Sequence, residues 1–114
     1  MNTLVMIDGD RIIGTSCFCK SRFEAYGDCG EIVSIYFLPE YMGMGYGSDL
    51  FRAAVDELKI MGFKSLFLWV LEENHRARRF YEKHGFKNSG ERLENNIGGK
   101  ILYELRYIYE IEGE

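Results

Sequence analysis

The residues with the plainest chemical capacity lie between Met42 and Ser48, which read MGMGYGS. Gly43, Gly45 and Gly47 recur at every second position, so successive backbone N–H groups can converge on an anion with few Cβ atoms in the way. A helix starting just beyond would add the positive end of its dipole, and the pair suits a pyrophosphate. Gly47 is followed by Ser48 and Asp49, so the lysine and hydroxyl residue of a nucleotide triphosphate loop are missing. A dinucleotide fingerprint fails as well: its acidic residue, about 20 positions on, should end a second strand, and that distance falls inside the run from Phe63 to Val70. Taken alone, the loop also reads as an ordinary turn, and its flanks decide between the two.

The other reactive side chains form no metal or disulfide pattern. Cys17, Cys19 and Cys29 are an odd count, and Cys17 and Cys19 alternate along a strand without His or Cys partners at zinc spacing, so no metal is expected. His75 and His84 lack convergent ligands. Together with an N-terminus free of a long apolar run, the cysteines point to a reduced, cytoplasmic protein.

The elements that must position the loop follow from periodicity. Glu31 to Leu38 is apolar, β-branched and aromatic, and Pro39 halts it. Leu50, Phe51, Ala54, Val55, Leu58 and Met61 recur at helical spacing from Ser48, and Gly62 closes that helix. Phe63 to Leu71 is nearly continuously apolar, which predicts a strand buried on both faces and parallel to the Glu31 strand through the helical crossover. Upstream, Thr3 to Ile7 and Arg11 to Lys20 flank the turn Asp8-Gly9-Asp10, giving with the Glu31 strand an antiparallel meander. Downstream, Asn74 is a candidate N-cap for a helix placing Ala77, Phe80, Tyr81 and His84 on one face, ended by Gly85. Two alternating segments, about Glu91 to Ile97 and Lys100 to Ile111, predict a closing hairpin.

A chain of 114 residues with 46% hydrophobic and 15% aromatic content is expected to be one domain over 1–114 with a single core. A formal net charge of -4 disfavours nucleic acid and anionic membranes as partners, and no run approaches a membrane span.

The series Glu31-Ile32-Val33-Ser34-Ile35, Leu38-Pro39-Glu40-Tyr41, the glycine loop and Asn74-His75-Arg76-Ala77-Arg78-Arg79-Phe80-Tyr81-Glu82-Lys83-His84-Gly85-Phe86 resembles the GNAT superfamily of acetyl-CoA-dependent N-acetyltransferases. The resemblance runs along nearly the whole chain from Thr3. It implies an α/β (α+β) fold: a mixed, mostly antiparallel sheet whose central parallel pair splays around acetyl-CoA, the co-substrate.

Residue by residue, it implies that the amides of Gly43, Met44, Gly45, Tyr46, Gly47 and Ser48 hold the pyrophosphate. Main-chain groups at Phe37 and Leu38 would meet the pantetheine, with an N–H near Phe37 on the oxyanion, and Asn74 would touch the pantetheine as well as cap its helix. Tyr81 is the implied general acid for the departing thiolate. Glu31 is the candidate base, since an amine of lysine-like pKa near 10.4 must lose a proton before attack. Ser34 and Tyr36 could order a water instead, and a bulge expected near Tyr36 would change which side chains face the cleft.

Two departures accompany the resemblance. Met42 stands where the family usually has Gln or Arg, and the family normally opens with a strand and two helices before the hairpin that here begins at Thr3. If Met1 is the true start, the acceptor, a small-molecule or peptide amine, enters an open site or one completed by a second subunit, and the unprotected sheet edge leads us to expect a homodimer. The rival readings are a non-catalytic CoA-binding or interaction module, and a subunit active only in a homodimer.

Overall fold

The computed structural model describes residues 1–111, so Glu112, Gly113 and Glu114 lie outside the described residues. Among the described residues, six strands and two α-helices follow in the order β1 (Asn2–Asp8), β2 (Arg11–Lys20), β3 (Gly30–Phe37), α1 (Tyr46–Ile60), β4 (Ser65–Leu71), α2 (His75–Lys83), β5 (Lys87–Ile97) and β6 (Lys100–Glu110). The strands are ordered β1-β2-β3-β4-β6-β5 in one mixed sheet, with β3 and β4 its parallel neighbours. The chain divides into two compact units, Met1–Leu66 with the segment from Ile111, and Phe67–Glu110.

In the first unit β1, β2 and β3 form the expected antiparallel meander, turned at Gly9 with φ +66°. Helix α1 buries Leu50, Phe51, Ala54, Val55 and Leu58, and burying each of these side chains other than Ala54 stabilises by about 1.5–3 kcal/mol. It starts at Tyr46, ahead of the expected Ser48, because Gly45 takes the left-handed conformation and serves as N-cap. Gly30 is required where β3 enters, since a Cβ there would lie 2.9 Å from Leu66 and 3.0 Å from Leu58 and Phe63. Gly62, at φ +99°, ends the helix as expected.

In the second unit the buried Phe67, Leu68 and Val70 of β4 belong to a core with Phe86, Leu105 and Tyr107. Asn74 does cap α2, its Oδ1 accepting from the Ala77 amide at 3.1 Å. The closing hairpin turns at Gly98 and Gly99, both at positive φ, which the right-handed twist of paired strands favours. Strand β5 begins at Lys87, before the expected Glu91. Gly90, at φ +89°, accommodates a register shift between Asn88 and Arg92 and does not end the pairing.

Candidate functional site

The glycine loop lies in the first unit. A short 3-10 turn, Pro39–Tyr41, leads into it and is pinned to the β1–β2 hairpin. Tyr41 Oη donates to Asp8 Oδ2 at 2.9 Å, and Arg11 Nη2 donates to Glu40 Oε2 at 2.9 Å. The bond to Asp8 raises the Tyr41 pKa, because phenolate formation would give up that donor. Beyond this anchor Gly43 and Gly45 stand at φ +81° and +85° with no atom within 4 Å of an added Cβ. No side chain caps α1, so its positive end opens onto this glycine turn. Among the described residues, no group of three or more His, Cys, Asp or Glu could hold a metal ion.

Phe37 and Leu38 lead from β3 toward the loop. The Phe37 ring lies over Gly14, where a Cβ would come within 2.6 Å of Cε1. The Leu38 amide donates to the Ile13 carbonyl at 3.0 Å, and the Leu38 carbonyl accepts from the Tyr41 amide at 3.0 Å. Both main-chain groups of Leu38 thus serve the fold, and its N–H is committed as a donor.

The bulge of β3 is at Val33, not near Tyr36: Phe18 pairs with Ile32 and Cys17 with Ser34, while Thr15–Tyr36 and Gly14–Phe37 are in regular register. The physical consequence reaches the site. Glu31, Ser34 and Tyr36 pair with Cys19, Cys17 and Thr15, which alternate along β2 and share one face. Without the bulge, Glu31 and Ser34, three residues apart, would face opposite ways. Tyr36 is 72% exposed on that face, whereas Glu31 is only 1% exposed.

Glu31 is held fast. Its Oε1 accepts from the Arg22 amide at 3.0 Å and from Arg22 Nε at 3.2 Å, and its Oε2 accepts from Arg22 Nη2 at 2.6 Å. This fork is the geometry that makes arginine–carboxylate pairs strong. It closes the 21–29 loop onto the start of β3, as does the bond from the Ser21 amide to the Cys29 carbonyl. Burial, and then the Glu31 charge, push the Cys19 thiol above its ordinary range, which keeps it protonated and a poor nucleophile.

The second unit carries Asn74 and Tyr81. Tyr81 lies on α2 with its ring edge-on to Phe80 at 5.6 Å between centroids. Burial raises its pKa, so the phenol stays protonated through neutral pH and keeps a proton to give. Its main chain ends the helix, the Tyr81 carbonyl accepting from the His84 and Phe86 amides. The neighbouring Glu82 accepts from Tyr107 Oη at 2.6 Å, and the same oxygen accepts from Arg78 Nε at 3.0 Å.

Sequence reasoning missed Gly14, Arg22 and Tyr107. Gly14 and Arg22 act on residues far along the chain, where no local period reports them. Arg78 and Glu82 are spaced four apart, which could have marked them as one helical face, but not that β6 supplies the hydroxyl between them.

Fold and loop together define a mixed-sheet α/β protein with a glycine-rich strand–loop–helix junction. Residues 2–86 match the acetyltransferase (GNAT) family, and the chain belongs to it. It is 38% identical over 77 residues to an uncharacterised N-acetyltransferase of Archaeoglobus fulgidus, covering 66% of this chain and 52% of that one. It is 36% identical over 83 residues to the [ribosomal protein bS18]-alanine N-acetyltransferase of Haemophilus influenzae, covering 73% of this chain and 53% of that one. The chain therefore spans about half the length of these relatives. The yncA protein of Salmonella typhimurium, solved with its cofactor acetyl-CoA, superimposes at a TM-score of 0.84 over 98% of this chain and 65% of that one. At 19% identity, that likeness shows the fold. No helix among the described residues is long and apolar enough to cross a membrane.

Proposed function

We propose that this protein transfers an acetyl group from acetyl-CoA to a primary amine by direct attack, with no covalent enzyme intermediate. The observation that carries the reading is the open glycine turn at the N-terminus of α1, where the cap residue is Gly45. Amides from Gly43 to Ser48 would take the pyrophosphate, with Met42 adding no polar group, and Phe37 and Leu38 would border the pantetheine. Because the Leu38 N–H is already committed, the oxyanion donor is assigned to Phe37. Asn74 combines its capping role with contact to the pantetheine.

In the reaction the amine nitrogen bonds to the thioester carbonyl carbon, the C–S bond breaks, and Tyr81 passes its phenolic proton to the thiolate. The phenolate is then reprotonated from water. Glu31 can act as base only when Arg22 releases it, so a water ordered by Ser34 or Tyr36 is the more direct route for the amine proton. The Haemophilus relative acts on an alanine of a ribosomal protein, which supports a peptide N-terminus as one acceptor class beside small amines. A homodimer through the edge strand β1, and a cytoplasmic location, belong to the same reading.

The locked Glu31 specifically favours the second reading, a CoA-binding module without turnover. Calorimetry with CoA, followed by free-thiol release with acetyl-CoA and a panel of amines and alanine-headed peptides, separates the two. Binding with turnover supports the enzyme, binding without turnover supports the module, and no binding sinks both.

A further inference from the structure

We infer that Tyr107, on β6, is a positioning residue for Tyr81; the inference rests on the reading of Tyr81 as the general acid. Helix α2 has nine residues, none of them fully buried. So short a helix is not held by its own hydrogen bonds, and it must be fixed by its attachments.

Those attachments converge. Asn74 caps the first turn, and Arg78 Nη1 donates to the Glu72 carbonyl at 2.9 Å, where β4 has just ended. Arg78 Nε donates to Tyr107 Oη at 3.0 Å, and Tyr107 Oη donates to Glu82 Oε2 at 2.6 Å. Arg78 and Glu82 are one helical turn apart, so both reach a single phenol from the same side. Tyr107 itself is 0% exposed, which anchors that oxygen in the core. A cation on one lone pair and a carboxylate on the proton make both bonds charge-assisted.

The clamp fixes the roll of α2 about its axis at the residues bracketing Tyr81. Each residue advances about 100° around a helix, so a change of roll at Glu82 is a change in where the Tyr81 phenol points. Displacing a reacting group by about 1 Å can cost up to about 100-fold in rate. Tyr107 touches neither substrate in this scheme; it acts through the helix.

Tyr107→Phe removes one oxygen and keeps the ring. The expected result is a kcat about tenfold or more lower, with KM for acetyl-CoA within about twofold. The ¹³Cζ resonance of Tyr81 should also titrate nearer the ordinary tyrosine value, because a helix free to roll lets water reach the phenol. A purely structural role would lower the melting temperature and leave both readouts in place. Folded Tyr107→Phe with unchanged kcat and unchanged Tyr81 titration overturns the inference. Should that variant not fold, Glu82→Gln keeps an acceptor and should retain the Tyr81 titration that Glu82→Ala loses; identical behaviour of the two overturns it equally. If the wild-type protein releases no CoA, the acyltransfer reading fails, while the titration still decides whether Tyr107 positions Tyr81.

Discussion

The ring of Phe37 rests on the bare backbone of Gly14, so closely that a Cβ on Gly14 would lie 2.6 Å from its edge. The last residue of β3 is thereby seated by a glycine of β2, just before the chain turns into the glycine loop. Gly14→Ala must push the ring aside. We expect a loss of about 1–3 kcal/mol, typical of overpacking, and weaker CoA binding. Thermal melting and a CoA titration check it, and an unshifted titration would remove Phe37 from the binding scheme.

Gly45 needs its left-handed backbone and meets nothing within 4 Å, so space alone would admit a methyl group. Gly45→Ala should cost about 1–2 kcal/mol from backbone strain and place a Cβ on the turn that faces the anion. A melting point lowered by this amount together with lost CoA stabilisation is the expected result. Retained stabilisation by CoA would show that the loop does not carry the diphosphate.

Arg22 is half exposed and Glu31 is buried, so the two ends of this pair respond differently to removal. Arg22→Ala strands a buried carboxylate and should cost about 2–3 kcal/mol, less than a fully buried pair because water reaches the arginine side. Glu31→Gln retains an acceptor and should cost less. Urea melts of the two single variants and the double variant form the cycle; a coupling near zero would mean that the clamp does not hold β3 to the 21–29 loop.

Tyr81→Phe should cut turnover about 100-fold, within the range for general acid catalysis, while CoA affinity stays. The direction of its pKa shift fixes the pH profile. Burial raises it, and the acid form is the active one, so its contribution is full at neutral pH and is lost only as pH rises through the raised value, above about 10. The stability tied to the neutral phenol has the same sign, present below the unfolded value and lost on alkaline titration. A falling limb of kcat below pH 8 would assign the acid to another group.

Strand and helix periods, the turn at Gly9, the Asn74 cap and the glycine loop were legible in the chain because each is written in neighbouring residues. A bulge was expected near Tyr36 and lies at Val33, since register depends on the partner strand. Its position at Val33 turns Glu31, Ser34 and Tyr36 onto one face. The early start of α1 and the continuity of β5 past Gly90 likewise turned on backbone conformation that glycine permits but does not announce.

The amino-acid sequence by itself determined the family and the glycine turn ahead of α1, because glycine spacing and apolar periodicity act over a few residues. Only the tertiary structure decided that Glu31 is buried in the grip of Arg22 and that Tyr107 locks α2 through Arg78 and Glu82. These are pairings between residues 9 to 29 positions apart, made by side chains whose meeting depends on how the strands and helices pack.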